Sequence, residues 1–120
     1  MSLVAKGLLL FVALLHVYFL VLEMFLWTKP KGLRTFRMNL EKAQATSVLA
    51  ANQGLYNGFL AAGLVWAALH PDAVFAKQLA IFFTACVLVA AAYGGYSVSR
   101  KIMLFQGLPA LLALVVVLLG

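Results

Sequence analysis

Long stretches without charge are the feature that most constrains this chain. Four runs carry no Asp, Glu, Lys or Arg: Gly7 to Leu22, Ala43 to Pro71, Gln78 to Ser99 and Ile102 to Gly120. Each is close to or above the roughly 20 residues with which a helix crosses a bilayer. Lipid offers the backbone no hydrogen-bond partners, and the runs lack the polar alternation of barrel strands, so each run predicts a helix.

Composition agrees with lipid as the solvent of this chain. Only 10% of its residues are charged and 66% are hydrophobic, whereas a soluble domain has roughly a quarter of its residues charged. We therefore predict an all-α fold, an integral membrane four-helix bundle in which residues 1-120 form a single transmembrane domain. The predicted spans are approximately 5-27, 47-69, 77-98 and 102-119.

The basic residues are unevenly distributed over the predicted loops. The first and third loops, on one side of the membrane, hold seven cations, and the other side holds only Lys6 and Lys77. The seven are Lys29, Lys31, Arg34, Arg37, Lys42, Arg100 and Lys101. Cytoplasmic loops are the ones enriched in Lys and Arg. We therefore expect a multi-pass protein of the cell inner (plasma) membrane with basic loops cytoplasmic and both termini external. The net charge of +6 then serves topology and contact with membrane lipid, so no nucleic acid partner is expected.

Two local signals refine the helices. Asn39 is suited to cap a helix that carries Glu41 in its first turn, so the second long helix is expected to begin before the membrane. Pro109 falls inside the fourth span, where it should kink the helix and free the carbonyl of Phe105.

Two ionisable residues lie in the first span. His16 and Glu23 are seven residues apart and therefore project from nearly the same helix face, about 10 Å apart along the axis. Ionisable groups in a span are a functional hypothesis by default, and both are candidate catalytic residues, as general base or proton carrier. The alternatives are a Glu23 carboxylate that reaches toward Lys29 or Lys31, and a neutral His16 hydrogen-bonded in a packed core.

The second span combines a polar face with a packing face. Four polar residues fall on a single arc of about 140°: Asn52, Gln53, Tyr56 and Asn57. Small residues at four-residue spacing line another side and let a neighbouring helix approach closely: Gly54, Gly58 and Ala62. The amides are candidate ligand-binding groups or, alternatively, hydrogen bonds between helices.

Tyr93 and Gln106 lie on either side of the third loop, within about 10 Å of the cytoplasmic surface. The polar residues thus converge on one leaflet, and we predict a pocket open to the cytoplasm. Its upper layer would hold Glu23, Asn52, Tyr93 and Gln106, and its floor His16, Tyr56 and Asn57. One histidine, one carboxylate and neutral amides are a poor ligand set for zinc or copper, so no metal site is predicted. The sequence identifies no cofactor.

These motifs resemble a known family over nearly the whole chain. They are His16-x-x-Phe19-x-x-x-Glu23-Met24-Phe25, the basic loop with Phe36, Asn52-Gln53-Gly54-x-Tyr56-Asn57-Gly58, Tyr93-Gly94 and Gln106-Gly107-x-Pro109. The sequence is similar to small bacterial membrane proteins catalogued as domain of unknown function thirteen-oh-four. The resemblance implies four helices and a membrane location, and it implies no activity.

Two weaker likenesses suggest activities. The membrane-associated eicosanoid and glutathione metabolism proteins are trimeric four-span enzymes with a basic first cytoplasmic loop and an asparagine that Asn52 resembles. The arginine and glutamate that flank that asparagine are replaced here by Ala50, Ala51 and Leu55. The small multidrug-resistance transporters are similar in length and also have a glutamate in the first span.

Three functions follow as hypotheses. The first is a polar pocket, open to the cytoplasmic leaflet, that binds or modifies a small lipophilic or conjugated molecule; whether the protein is an enzyme stays open. The second is a proton-coupled small-molecule transporter, and the third is a structural or accessory membrane subunit. Four helices of this size enclose little space, so a homo-oligomer, dimer or trimer, is expected.

Overall fold

The computed structural model describes residues 1–120, and its regular structure is entirely helical. There are five helices: α1 Leu3–Met24, α2 Pro30–Phe36, α3 Leu40–Leu69, α4 Ala73–Ser97 and α5 Arg100–Leu119. The fifth helix contains a π-helical turn at Met103–Gly107. The prediction of an all-α fold is confirmed.

Three of the helices, α1, α4 and α5, are long and apolar enough to cross a membrane. The longest helix, α3 with 30 residues, is not among them, although it contains the predicted span 47-69. Its first half carries charged and amide side chains, which lower its mean hydropathy. The structure thus supports a helical membrane protein, and the fourth span stays a prediction.

The chain divides into two compact units, which we call the core unit (Met1–Leu15 and Leu60–Gly120) and the hairpin unit (His16–Phe59). Helices α1 and α3 run without interruption through the boundary, so each contributes a part to each unit.

The core unit has one buried cluster to which α1, α3, α4 and α5 all contribute. Eight of its members are alanines, which let helix backbones approach closely, and the larger buried side chains are Leu9, Val12, Leu64, Val87 and Val117. Gly63 of α3 lies against the ring of Phe83, which occupies the space that a side chain would need.

The π-helical turn in α5 lies just before Pro109, where the sequence predicts a kink. Proline has no N–H to donate to the carbonyl four residues earlier, which is that of Phe105. A π-helical turn is one way in which a helix accommodates such an interruption. At its end Gly107 is buried, and a Cβ built on it would be 3.1 Å from Cβ of Ala91 in α4. The interruption is therefore packed against a neighbouring helix.

The hairpin unit contains a structured first loop. The Asn39 Oδ1 accepts a hydrogen bond from the Lys42 N–H at 2.8 Å, and Glu41 lies in the first turn of α3, so the predicted cap is confirmed. The indole N–H of Trp27 donates to Oγ1 of Thr46 at 3.1 Å. The cap fixes the start of α3, and the bond from Trp27 to Thr46 ties the second turn of α3 to the segment that follows α1.

Close packing joins α1 and α3 within the hairpin unit. A Cβ built on Gly54 would lie 2.7 Å from Cγ of Met24, 3.2 Å from Cβ of Glu23 and 3.3 Å from the carbonyl oxygen of Leu20. A Cβ on Gly58 would likewise lie 2.9 Å from Cδ1 of Leu20. The predicted packing role is confirmed for these two glycines. The packing role predicted for Ala62 is wrong, because Ala62 is exposed and the neighbouring residue Ala61 is buried.

Replacing Asn39 by Ala should destabilise the protein by about 1 kcal/mol, because the Lys42 N–H loses its capping acceptor. Replacing Asn39 by Asp should preserve stability, since the carboxylate accepts the same bond. Thermal unfolding in detergent measures the difference. Equal midpoints for the Ala and Asp variants would contradict the capping role.

Replacing Gly54 by Ala should lower the unfolding midpoint, although Ala is favoured over Gly inside a helix by about 1 kcal/mol. The Leu20 carbonyl is part of the α1 backbone, and the Glu23 Cβ is attached to it. Neither atom can move away by a side-chain rotation, so the new methyl group must push the two helices apart. Thermal unfolding in detergent is again the measurement.

Gly7 is the matched control for that substitution. Like Gly54 in α3, it lies inside a helix, here α1, but a Cβ built on it has no neighbour within 4 Å. Gly7→Ala should therefore leave the midpoint unchanged or raise it. A Gly54→Ala protein as stable as Gly7→Ala would show that α1 and α3 are not in close contact there.

Candidate functional site

The contact between Glu23 and Asn57 is the centre of the candidate site. Glu23 lies in the last turn of α1 and Asn57 lies in α3, 34 residues later. The Asn57 Nδ2 donates a hydrogen bond to Oε1 of Glu23. Gly54, one turn before Asn57, packs against the same part of α1, and this close approach brings the amide within reach. The sequence predicts the two residues in different layers of a pocket, whereas in the structure they are in contact.

Glu23 has no cationic partner. The amide of Asn57 is its hydrogen-bond partner. Lys29 and Lys31, the alternative partners that the sequence suggests, are exposed and form no ion pair with it. An amide N–H can donate to a carboxylate or to the carbonyl oxygen of a carboxylic acid. Glu23 is partly buried rather than enclosed, so its carboxyl group retains acceptor capacity beyond the bond to Asn57.

His16 lies two turns before Glu23 on the same face of α1, as predicted, and it is fully buried. Its ring meets that of Phe19 edge to face, with centroids 5.3 Å apart. No buried side-chain nitrogen or oxygen of the chain is without a hydrogen bond. This environment fits the packed imidazole that the sequence offered as an alternative, and a role for His16 in chemistry stays a prediction.

The polar arc predicted on α3 is divided between two environments. Asn57 is buried at 8% exposure, whereas Asn52, Gln53 and Tyr56 are exposed. The Nδ2 of Asn52 donates to the carbonyl of Val48 at 3.0 Å, one turn earlier in its own helix. Asn57 therefore belongs to the packing face with Gly54, and the other three side chains point elsewhere.

Tyr93 and Gln106 lie in the core unit. Tyr93 is near the end of α4 and is 69% exposed. Gln106 is in the π-helical turn of α5 and is partly buried. That these two residues share a pocket with Glu23 stays a prediction.

Sequence reasoning missed the pairing of Glu23 with Asn57, although a signal was present. The residue three positions after a close-packed glycine lies on the same side of its helix. Once Gly54 is assigned to the packing face, Asn57 must also be near the neighbouring helix. The exposed residues Asn52 and Tyr56 do not satisfy this condition.

Comparison with known proteins identifies the relatives of this chain. Residues 10–118 match the family described as "Protein of unknown function (DUF1304)". The chain is also 34% identical over 108 residues to the "Uncharacterized protein YpaA" of Lactococcus lactis subsp. lactis (strain IL1403), an alignment that covers 88% of this chain and 89% of that protein. No solved structure matches the chain. The resemblance carried by the motifs around His16, Asn52 and Gln106 is thus confirmed, and the chain belongs to this family of unknown function, which includes a bacterial relative.

Proposed function

We propose that this chain is a four-span protein of the inner membrane that binds a small lipophilic or conjugated molecule in the cytoplasmic leaflet, with Glu23 as the principal binding group. The observation that carries the proposal is the environment of that residue. Glu23 belongs to an apolar helix long enough to span a membrane, and its partner is a neutral amide rather than a cation. Uncompensated ionisable groups in a span are costly and mark sites of binding or transport.

The geometry favours binding because the carboxyl group is held in place by one hydrogen bond and still has acceptor positions without a partner. One oxygen of Glu23 accepts the bond from Asn57, and the group is only partly buried. A ligand that offers an N–H or O–H donor can therefore bind to the acceptor positions that remain. Apolar surroundings strengthen such a bond, because little water competes for it.

The packing of α1 against α3 supplies the rigidity that a binding group needs. Gly54 and Gly58 bring the two helices into van der Waals contact on either side of Asn57. A binding group whose position is fixed before the ligand arrives loses less conformational entropy on binding. This is the benefit of placing Glu23 beside a glycine pair rather than in a flexible loop.

Replacing Glu23 by Gln tests the binding role. Glutamine keeps the size of the side chain and an oxygen that can accept from Asn57, so the fold should be preserved while the carboxyl group is lost. Native mass spectrometry of protein extracted gently from its own membrane should show a stoichiometric small molecule on the wild type. The Gln variant should lose that molecule at least tenfold.

Glu41→Gln is the matched control, because Glu41 is an exposed carboxylate in the first turn of α3. It should retain the small molecule like the wild type. If Glu23→Gln retains the molecule as well, Glu23 is not the binding group. If the wild type carries no small molecule, the residues around Glu23 serve helix packing, as in a structural subunit.

The proposed topology, with the basic first loop in the cytoplasm and both termini outside, has its own test. Single cysteines are introduced at Thr35 and at Ala73, both exposed, in a chain whose Cys86 is replaced by Ala. A membrane-impermeant maleimide added to intact cells should label Ala73→Cys and not Thr35→Cys. Labelling of both after the membrane is opened is the control, and the opposite pattern in intact cells would reverse the topology.

A further inference from the structure

Helix α3 has an outward stripe directly opposite its packing face. The buried residues Ala43, Ala50, Gly54, Asn57 and Ala61 lie on one side of the helix. At 100° per residue, an arc of about 100° on the other side contains exposed residues that include Val48, Leu49, Asn52, Tyr56 and Phe59. We call these five the outer stripe. Nothing in the chain covers it.

The outer stripe is largely apolar, with a single amide at its centre. Val48 is 73% exposed, Leu49 72%, Tyr56 61% and Phe59 58%. Asn52 lies between them, and its Nδ2 makes one bond, to the Val48 carbonyl. An asparagine amide has two N–H donors and a carbonyl oxygen with two lone pairs. One N–H and the carbonyl oxygen of Asn52 therefore remain available.

An available amide on a face turned toward lipid is unfavourable. Where no water can reach it, an amide without a hydrogen-bond partner raises the free energy of the protein. A second helix can remove this cost, because asparagine side chains hydrogen-bond across helices in membranes. Apolar residues on both sides of Asn52 would close over such a bond. The outer stripe thus has the composition of a helix–helix interface.

We propose that α3 pairs with α3 of a second copy of this chain through the outer stripe, with Asn52 bonded to Asn52. This inference does not involve Glu23, and it rests on the proposed placement of α3 in the bilayer, which the labelling experiment tests separately.

A second copy is the partner that this chemistry fits. An amide is self-complementary, since each of two facing amides donates to the oxygen of the other. The outer stripe carries no charge that would select a partner of opposite sign. Two copies inserted with the same topology are related by a two-fold axis along the membrane normal, which places each residue of α3 opposite the same residue of its partner.

The spacing of the stripe agrees with a parallel pair of helices. Ala45 is exposed and falls on the same arc, so it extends the outer stripe toward the start of α3. From Ala45 through Val48, Asn52 and Tyr56 to Phe59 the steps are three, four, four and three residues, which is close to the repeat that keeps one face in contact along two helices. A single polar residue within such a seam fixes the register of the pair.

Cysteine cross-linking in native membranes tests the interface. Each residue from 44 to 59 is replaced by Cys in the Cys86→Ala chain, two differently tagged copies are expressed together, and copper phenanthroline catalyses disulfide formation. Products that carry both tags should peak at positions 45, 48, 52, 56 and 59, where the two Cα atoms approach within the roughly 7 Å that a disulfide spans. Val89→Cys on α4 is the control, because Val89 is 70% exposed but lies on another helix.

Substitution of Asn52 tests the central bond. In the Phe59→Cys chain, Asn52→Leu should lower the yield of the mixed-tag product at least threefold, and Asn52→Gln should restore most of it. Asn52 bonds only to its own helix, so neither change should alter the unfolding midpoint of the monomer.

Equal yields of the mixed-tag product for Asn52→Leu and Asn52→Gln would show that the Asn52 amide does not form a bond in the interface. A yield at Val89→Cys as high as at Val48→Cys, or no periodic pattern, would overturn the pairing. A product that contains another protein instead of the second tag would overturn the assignment of the partner.

Discussion

The contact between α1 and α3 at Gly54 is the constraint on which the candidate site depends. Without a side chain at this position, α3 approaches so closely that a Cβ on Gly54 would lie 3.3 Å from a backbone oxygen of α1. One turn later, Asn57 is then near enough to donate to Glu23. In lipid there is no hydrophobic force between helices, and close van der Waals contact with interhelical hydrogen bonds supplies the attraction. The glycine and the amide therefore act together, one allowing the approach and the other adding a directional bond.

Much of the helical structure follows from the sequence because it depends on local or compositional properties. Long uncharged runs require helices in lipid, and the Asn39 cap is set by residues three positions apart. The environment of each polar residue does not follow in the same way. A helical projection shows which residues share a face, but the position of the neighbouring helix decides which face is inward. For this reason Asn57 and Asn52 fell on one predicted arc, while the structure buries the first and exposes the second.

The same limitation explains the small residues of α3. Gly54, Gly58 and Ala62 satisfy a four-residue spacing, yet the buried residue after Gly58 is Ala61. A repeat of four residues drifts around a helix of 3.6 residues per turn, so a contact face that continues must alternate steps of three and four. The sequence pattern located the packing face and its centre, and only the path of the neighbouring helix determined where the face continued.

The two asparagines of α3 separate two functions that one helix can carry. Asn57 faces inward, and its bond to Glu23 within the chain orients a carboxyl group that has no cation of its own. Asn52 faces outward and bonds only to its own backbone, so the rest of its capacity is available to another molecule. If both amides served only to hold this chain together, both would be expected on the packing face. Their opposite placement is the observation that links the two proposals, because the buried amide contacts the Glu23 carboxyl group and the exposed amide is available to a second copy.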